Sequence, residues 1–413
     1  MRSPEELSYW RFWPVFILAF FYPMNNGMIN LAIPIYYLQE GLNTALIGIL
    51  SAGSAISYMF SPILLNKLSQ KLKRKTSITI SLIGVFCSEI IFYFSLNPLL
   101  FLISRSVEGI FMGLYWPNLQ SAISDNIFHK HSALTAKYNI SWNSGMLTGF
   151  LFGALLLFSF GLLELIFYAA PILIFINLLV AVSAFQEPKK LNIHSKEFKD
   201  YVKEQEINLI KAVKIKKEED DFRKLSYPRL YPVLIIVAYC LTRASVNFLY
   251  PIKSELLGFE EYTVYIATFF LALSQVISMF LASLMKLRYF NFVPPIMIGI
   301  LIIVIPLIAL NQDLSIFIIL FFVVGSCTGV LYGVTLRMIL MLNIKNDTSK
   351  FSGILESLIG AGFLITPIFS GFIAAVDLNI TFYVLTLIIG VLFVFCMIVA
   401  IYKVEYKSRN NRD

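Results

Sequence analysis

The sequence predicts an all-α integral membrane protein with twelve transmembrane helices, arranged as two six-helix bundles related by pseudo-two-fold symmetry. Three observations predict it: a series of long apolar stretches, a one-sided placement of basic residues, and an internal echo between the halves of the chain. Of the 413 residues, 58% are hydrophobic and only 14% are charged, whereas a soluble domain carries roughly a quarter charged residues. A water-soluble fold could not hide so much apolar surface. In hydrocarbon each backbone amide must be bonded within its own segment, which stretches of about 20 residues achieve as helices. A closed β-barrel would instead need strands of roughly ten residues that alternate in polarity, and these runs are longer and continuously apolar.

Twelve stretches begin near Trp13, Thr44, Thr76, Leu99, Tyr138, Leu162, Tyr231, Tyr262, Phe290, Leu314, Phe351 and Asn379. The first follows Arg2 and Arg11 as a secretory signal would. It runs unbroken to Leu38 through Pro23 and Pro34 with no small-x-small cleavage pattern, so it is read as span one. Cys87, Cys240, Cys327 and Cys396 fall inside apolar spans with no metal-ligand spacing and read as buried small hydrophobes. His129, His131 and His194 sit in polar loops and read as solvated, with no metal site or cofactor expected.

Charge gives the topology. Of the 33 Lys and Arg residues, only Lys253 is placed on one face, and only Arg105, Arg243 and Arg337 lie within or at the end of spans. The others gather on the opposite face, at Lys67 to Lys75, Lys130, Lys137, the long middle loop, Lys286, Arg288 and the segment after Lys403. By the positive-inside rule that face is the cytoplasm, with both termini on it, which places the chain in the cell membrane as a multi-pass protein.

One long polar stretch divides the chain into an N-terminal bundle (1–185), a cytoplasmic linker (186–229) and a C-terminal bundle with a cytoplasmic tail (230–413). Within the linker, Phe198, Val202, Leu209 and Val213 are spaced for one face of a helix between Lys199 and Lys217. That helix would rest on anionic lipid, and a solvated linker is the alternative. The halves echo each other. Asn30, Pro34, Ile35 and Gly41 recur with identical spacing as Asn247, Pro251, Ile252 and Gly258. Gly109 and Gly113 match Gly329 and Gly333, and Lys137, Tyr138, Ser144, Gly149, Phe150 and Leu151 match Lys350, Phe351, Ser357, Gly362, Phe363 and Leu364. Repeats of this kind place a binding site near the bilayer midplane, between the halves.

Twelve spans, a 6+6 duplication, a long central loop and a basic loop after span two resemble the major facilitator superfamily over essentially the whole chain. In span four, Arg105-Ser-Val-Glu108-Gly109-Ile-Phe-Met-Gly113, followed by Pro117 and Asp125, is similar to that family's Arg-x-x-polar-Gly-x-x-x-small signature. The loop signature departs from the pattern, since Asn66-Lys67 stands where the family has Asp-Arg and no Gly accompanies Lys73, Arg74 and Lys75. Span five carries Gly145-x-x-x-Gly149-Phe150-x-x-Gly153-Ala154, which resembles the glycine-rich signature of proton-exchanging exporters, with Phe150 in place of its proline and Ala154 of its last glycine. Close helix packing accounts for the same small residues without any transport direction.

The resemblance implies a secondary active transporter of a small organic solute, working by alternating access as a proton-coupled antiporter in the efflux direction. An importer or uniporter of the same fold is the alternative. A polytopic membrane enzyme is disfavoured because the acids are scattered, and a non-transporting sensor on this fold stays open. No Gly-x-x-x-x-Gly-Lys-Ser/Thr loop is present for binding ATP. Expected partners are the solute, a proton or other ion and membrane lipid, with no nucleic acid, and the chain is expected to act as a monomer.

A charge at membrane depth costs roughly 2.5 to 3.5 kcal/mol on the insertion scale, so each one asks for a partner or a purpose. Arg105 and Glu108 are three residues apart on one helical face, a spacing that permits pairing. Glu89 and Arg105 each lie eight residues from the turn at Asn97, at similar depth in an antiparallel hairpin, so a Glu89–Arg105 salt bridge is expected unless Glu89 serves transport. Arg243 stands roughly 18 Å into span seven at 1.5 Å per residue, with no acid within a turn; pairing with Glu108 or Glu356 is the structural alternative. In the resembled family spans four and seven line the central cavity, which implies solute or coupling roles for Arg105 and Arg243. Glu356 aligns with Asn143, an acid that can titrate against an amide that cannot, with a pair to Arg337 as the alternative. Asn26, Asn30, Asn143 and Asn247 complete the candidate site. Asn25 and Asn118, with Tyr22, Trp116, Trp142, Tyr239 and Tyr332, supply further lining on the same helices.

Overall fold

The computed structural model describes residues 4–124, 131–186, 230–286, 289–342 and 348–410. The expected helix between Lys199 and Lys217, and also Asp125, His129 and His194, lie outside the described residues. Span one is Pro4–Gln39, span three Arg74–Phe92, span four Pro98–Ser124, span five His131–Phe160 and span six Glu164–Ser183. Spans seven to twelve are Leu230–Leu256, Glu261–Ser283, Val293–Leu310, Leu314–Leu342, Thr348–Ala374 and Leu378–Asn410. Among the described residues 11 helices are long and apolar enough to cross a bilayer, and span two supplies the twelfth crossing as a bent pair. An even number of crossings returns both termini to one face, called here the terminal face; the other is the distal face.

Span two departs from the single helix expected. Thr44–Ser51 and Gly53–Leu64 meet at a bend of 48°. The physical reason is the approach of span four: a Cβ on Gly53 would stand 2.7 Å from the Cβ of Arg105, and Ser61 Oγ donates to the Gly109 carbonyl at 2.9 Å. The signature glycines serve the same contact, since a Cβ on Gly109 would collide with the Ser54 carbonyl and one on Gly113 with Ser61. In the second half Gly329 and Gly333 pack on Gln275 and Met279 of span eight. The echo therefore records two equivalent helix contacts.

The repeat also fixes where spans one and seven stop. Gly41 and Gly258 have φ of 79° and 72°, a left-handed conformation that costs glycine little. Beyond each, the same bond closes the helix end, Leu42 N–H to the Tyr37 carbonyl at 3.0 Å and Phe259 N–H to the Ser254 carbonyl at 3.1 Å, as in a Schellman motif. Within these helices Pro34 and Pro251 remove the N–H that would bond the carbonyl four residues earlier, that of Asn30 and of Asn247.

The halves join near the distal face. Gln39 Nε2 donates to Glu261 Oε1 at 2.7 Å and Glu255 Oε1 at 3.1 Å. Tyr265 Oη donates to the Met28 carbonyl at 2.6 Å, and Thr44 Oγ1 to the Gly371 carbonyl at 3.1 Å. Leu155, Ile303, Leu387 and Ile398 are exposed, as side chains that meet lipid tails are.

Spans one and five touch backbone to backbone. A Cβ on Gly145 would strike the Phe20 carbonyl and one on Gly149 the Met24 carbonyl, while Gly390 has nothing within 4 Å. Gly149→Val is expected to lower stability by about 1–3 kcal/mol or more through overpacking, and Gly390→Ala to leave it unchanged. Thermal melting of the detergent-purified variants checks both.

Candidate functional site

The first half holds a buried polar cluster built around Arg105, which is only 3% exposed. Its Nη1 donates to Glu108 Oε2 at 2.6 Å and to Tyr93 Oη at 3.2 Å, and its Nη2 to Asn30 Oδ1 and Ser54 Oγ, both at 3.1 Å. Only Nε is left buried without a partner. Four spans thus meet on one guanidinium: span one brings Asn30, the bend of span two Ser54, the end of span three Tyr93 and span four Glu108. Ser104 Oγ adds a bond to Glu108 Oε1 at 3.3 Å. The i,i+3 spacing of Arg105 and Glu108 produced the pair it permits.

Glu89 does not join it as expected. It is 1% exposed, and its hydrogen bond comes from Asn25 Nδ2 to Oε1 at 2.8 Å. Arg105 is instead taken up by Glu108, and Glu89 Oε2 and Asn25 Oδ1 are both buried without a partner. Equal depth on two antiparallel helices sets height; rotation about each axis decides which side chains meet, and it turns Glu89 toward span one.

The second half answers with a different arginine. Tyr239, Arg243 and Asn247 stand at four-residue intervals, hence on one face of span seven. Arg243 is 5% exposed and makes no hydrogen bond or ion pair among the described residues, its Nη1 being buried without a partner. It pairs with neither Glu108 nor any other described acid. Asn247 Oδ1 is likewise buried and unpartnered. Tyr239 packs on Tyr332 with ring centroids 5.1 Å apart and accepts from Gln275 Nε2 at 3.5 Å, while Gln275 Oε1 has no partner.

The other expected residues are placed less tightly. Asn26 is half-buried on span one. Asn143 donates to the Asn139 carbonyl of its own helix at 2.7 Å. Glu356 lies on span eleven, and its side chain is outside the described residues. Arg337 donates to the carbonyls of Ser283 and Met285 on the terminal side of span eight. Ser54, Tyr93 and Ser104 carried no signal beyond their neighbourhood. Another relation was available in the sequence: the register that aligns Asn30 with Asn247 aligns Asn26 with Arg243 and Tyr22 with Tyr239 one and two turns back. A neutral amide in one half therefore stands where the other half has its arginine, and the first half draws its cation from span four.

Comparison with known proteins agrees with this architecture. A family model described as Major Facilitator Superfamily matches residues 15–310 and 232–413. Among solved structures, a bacterial homologue of the human lysosomal transporter Spinster, in its inward-facing and unoccupied conformation, superposes with a TM-score of 0.73 at 13% identity, covering 98% of this chain and 99% of that one. The occupied form of that homologue gives 0.73 at 12% identity, covering 99% and 98%. The nucleoside transporter NupG gives 0.69 at 15% identity, covering 94% and 98%. At these identities the likeness establishes a common fold. No curated protein sequence matches the chain.

Proposed function

The chain belongs to the major facilitator superfamily and is a multi-pass secondary transporter of small molecules rather than an enzyme, and from that premise we propose that it exports a small organic anion in exchange for protons. The observation that carries the reading is Arg243, a buried guanidinium with no counter-charge among the described residues, four residues from an asparagine whose Oδ1 is also unsatisfied. An unpaired buried cation is costly, and a carboxylate or similar group on a solute would supply what Arg243 lacks. Asn247, Tyr239 and Gln275 offer the surrounding polar and aromatic contacts.

On the opposite side of the pseudo-axis, Arg105 and Glu108 form the coupling group, with Asn30 linking them to span one. Asn26, Asn143 and Glu356 are assigned to the lining of the same site. The two bundles, 1–185 and 230–413, rock about it as rigid units joined by 186–229. Efflux is favoured by the exporter-like glycine run of span five. The placement of Lys and Arg supports cytoplasmic termini, and we assign the protein to the cell membrane as a monomer.

Purified protein in liposomes, offered organic anions, cations and neutral compounds with and without an imposed pH gradient, tests this. The expected result is accumulation of an anion on the acid side, since protons descending their gradient drive the solute the other way. Equal flux with and without the gradient would make the protein a uniporter.

A further inference from the structure

Glu89 and Asn25 are joined along one edge and unsatisfied along the other. Asn25 Nδ2 donates to Glu89 Oε1 at 2.8 Å, while Asn25 Oδ1 and Glu89 Oε2, the remaining atoms of the same two planar groups, are both buried with no partner. The residues are 2% and 1% exposed, so bulk solvent does not reach them. Both orphaned atoms are acceptors, and an ionised carboxylate has no hydrogen to give. One donor placed between them satisfies both at once.

The charges nearby point the same way. Facing Glu89 from span four are Arg105 and Glu108, from span one Tyr22, and at the distal end of its own span Tyr93. Two acids therefore face one arginine, and that arginine is bonded to Glu108. The cluster is one positive charge short of neutrality, in surroundings where an unpaired charge is expensive.

We propose that Glu89 and Asn25 form a proton-binding site: one proton taken up on Glu89 Oε2 is donated to Asn25 Oδ1, closing a doubly bonded ring of the kind an acid forms with an amide. Loss of the proton restores the carboxylate and leaves only the bond from Nδ2. The inference rests on the proton-coupled reading above and deepens it by placing the proton on Glu89, beside the Arg105–Glu108 pair that couples it to the solute site. It also gives the proton a lever. Asn25 and Asn30 lie five residues apart on span one, and Asn30 is held by Arg105; protonation at Glu89 thus changes how firmly span one is tied to span three, alongside its tie to span four.

The probe is the proton itself. Infrared titration of the purified protein in liposomes is expected to show the carbonyl band of a hydrogen-bonded carboxylic acid appearing as the pH falls. In Glu89→Gln, whose amide supplies the missing donor permanently, that band is lost and the fold is kept, as read by an unchanged melting temperature. In Asn25→Ala the band remains but moves to the position of an acid without an amide partner, which tests the pairing even if the first variant fails to fold. An unaltered band in Glu89→Gln, or an unmoved one in Asn25→Ala, overturns the proposal. A parent that shows the band and the expected shifts, yet gives the same solute flux with and without a pH gradient, supports the proton site and overturns the coupling on which its role rests.

Discussion

Arg243→Gln is expected to abolish solute flux while leaving the protein as stable as the parent or more so. Bonds from a guanidinium to a charged group are worth about 1.5–3 kcal/mol each, so losing one weakens solute binding by about ten- to a hundredfold. The prediction for stability has the opposite sign. Arg243 is buried with no bond among the described residues, and an arginine at membrane depth costs roughly 2.5 to 3.5 kcal/mol on the insertion scale, which glutamine relieves. Flux in liposomes and melting of the same preparation separate the two effects. A variant that transports like the parent would remove Arg243 from the solute site.

Arg105→Gln is expected to lose transport and stability together. Glu108 would lose the cation bonded at 2.6 Å, and Asn30, Ser54 and Tyr93 would lose a donor. Removing one partner of a buried ion pair costs about 3–5 kcal/mol. Arg105→Lys keeps the charge but not the planar fork that reaches four partners at once, so it should recover part of the melting temperature and little of the flux. The two arginines thus act alike on transport and oppositely on stability, a contrast that a merely structural role for both would not produce.

Much of the fold was legible because a bilayer leaves the chain few choices. Apolar length alone placed the twelve crossings, and the starts at Thr44 and Leu314 coincide with helix starts in the structure. The bend of span two was not legible. Gly53-Ser54 after Ala52 is a weak point at which helices kink, but glycines are frequent in these spans; what selects this one is the close approach of span four to Gly53, a tertiary cause. Arg105 and Glu108 could be read as a pair because both lie on one helix, where spacing fixes neighbours. The partner of Glu89 could not, because it lies on another helix whose rotation the hydropathy pattern leaves open. That Arg243 finds no acid among the described residues is likewise a property of three-dimensional packing, which the sequence leaves open.

Pro34 and Pro251 have a mechanical consequence. Each deletes a rung of the hydrogen-bond ladder at the same height in spans one and seven. Below the missing rung stand Asn26, Asn30, Arg243 and Asn247; above it stand Gln39 and Glu255, which clasp the two halves together. Each helix is therefore weakened between the part that carries the proposed solute-site residues and the part that joins the two halves. On the proposed function, the upper segments could then part while the lower ones stay in place, so that unfastening the two halves and releasing the solute would be separable events.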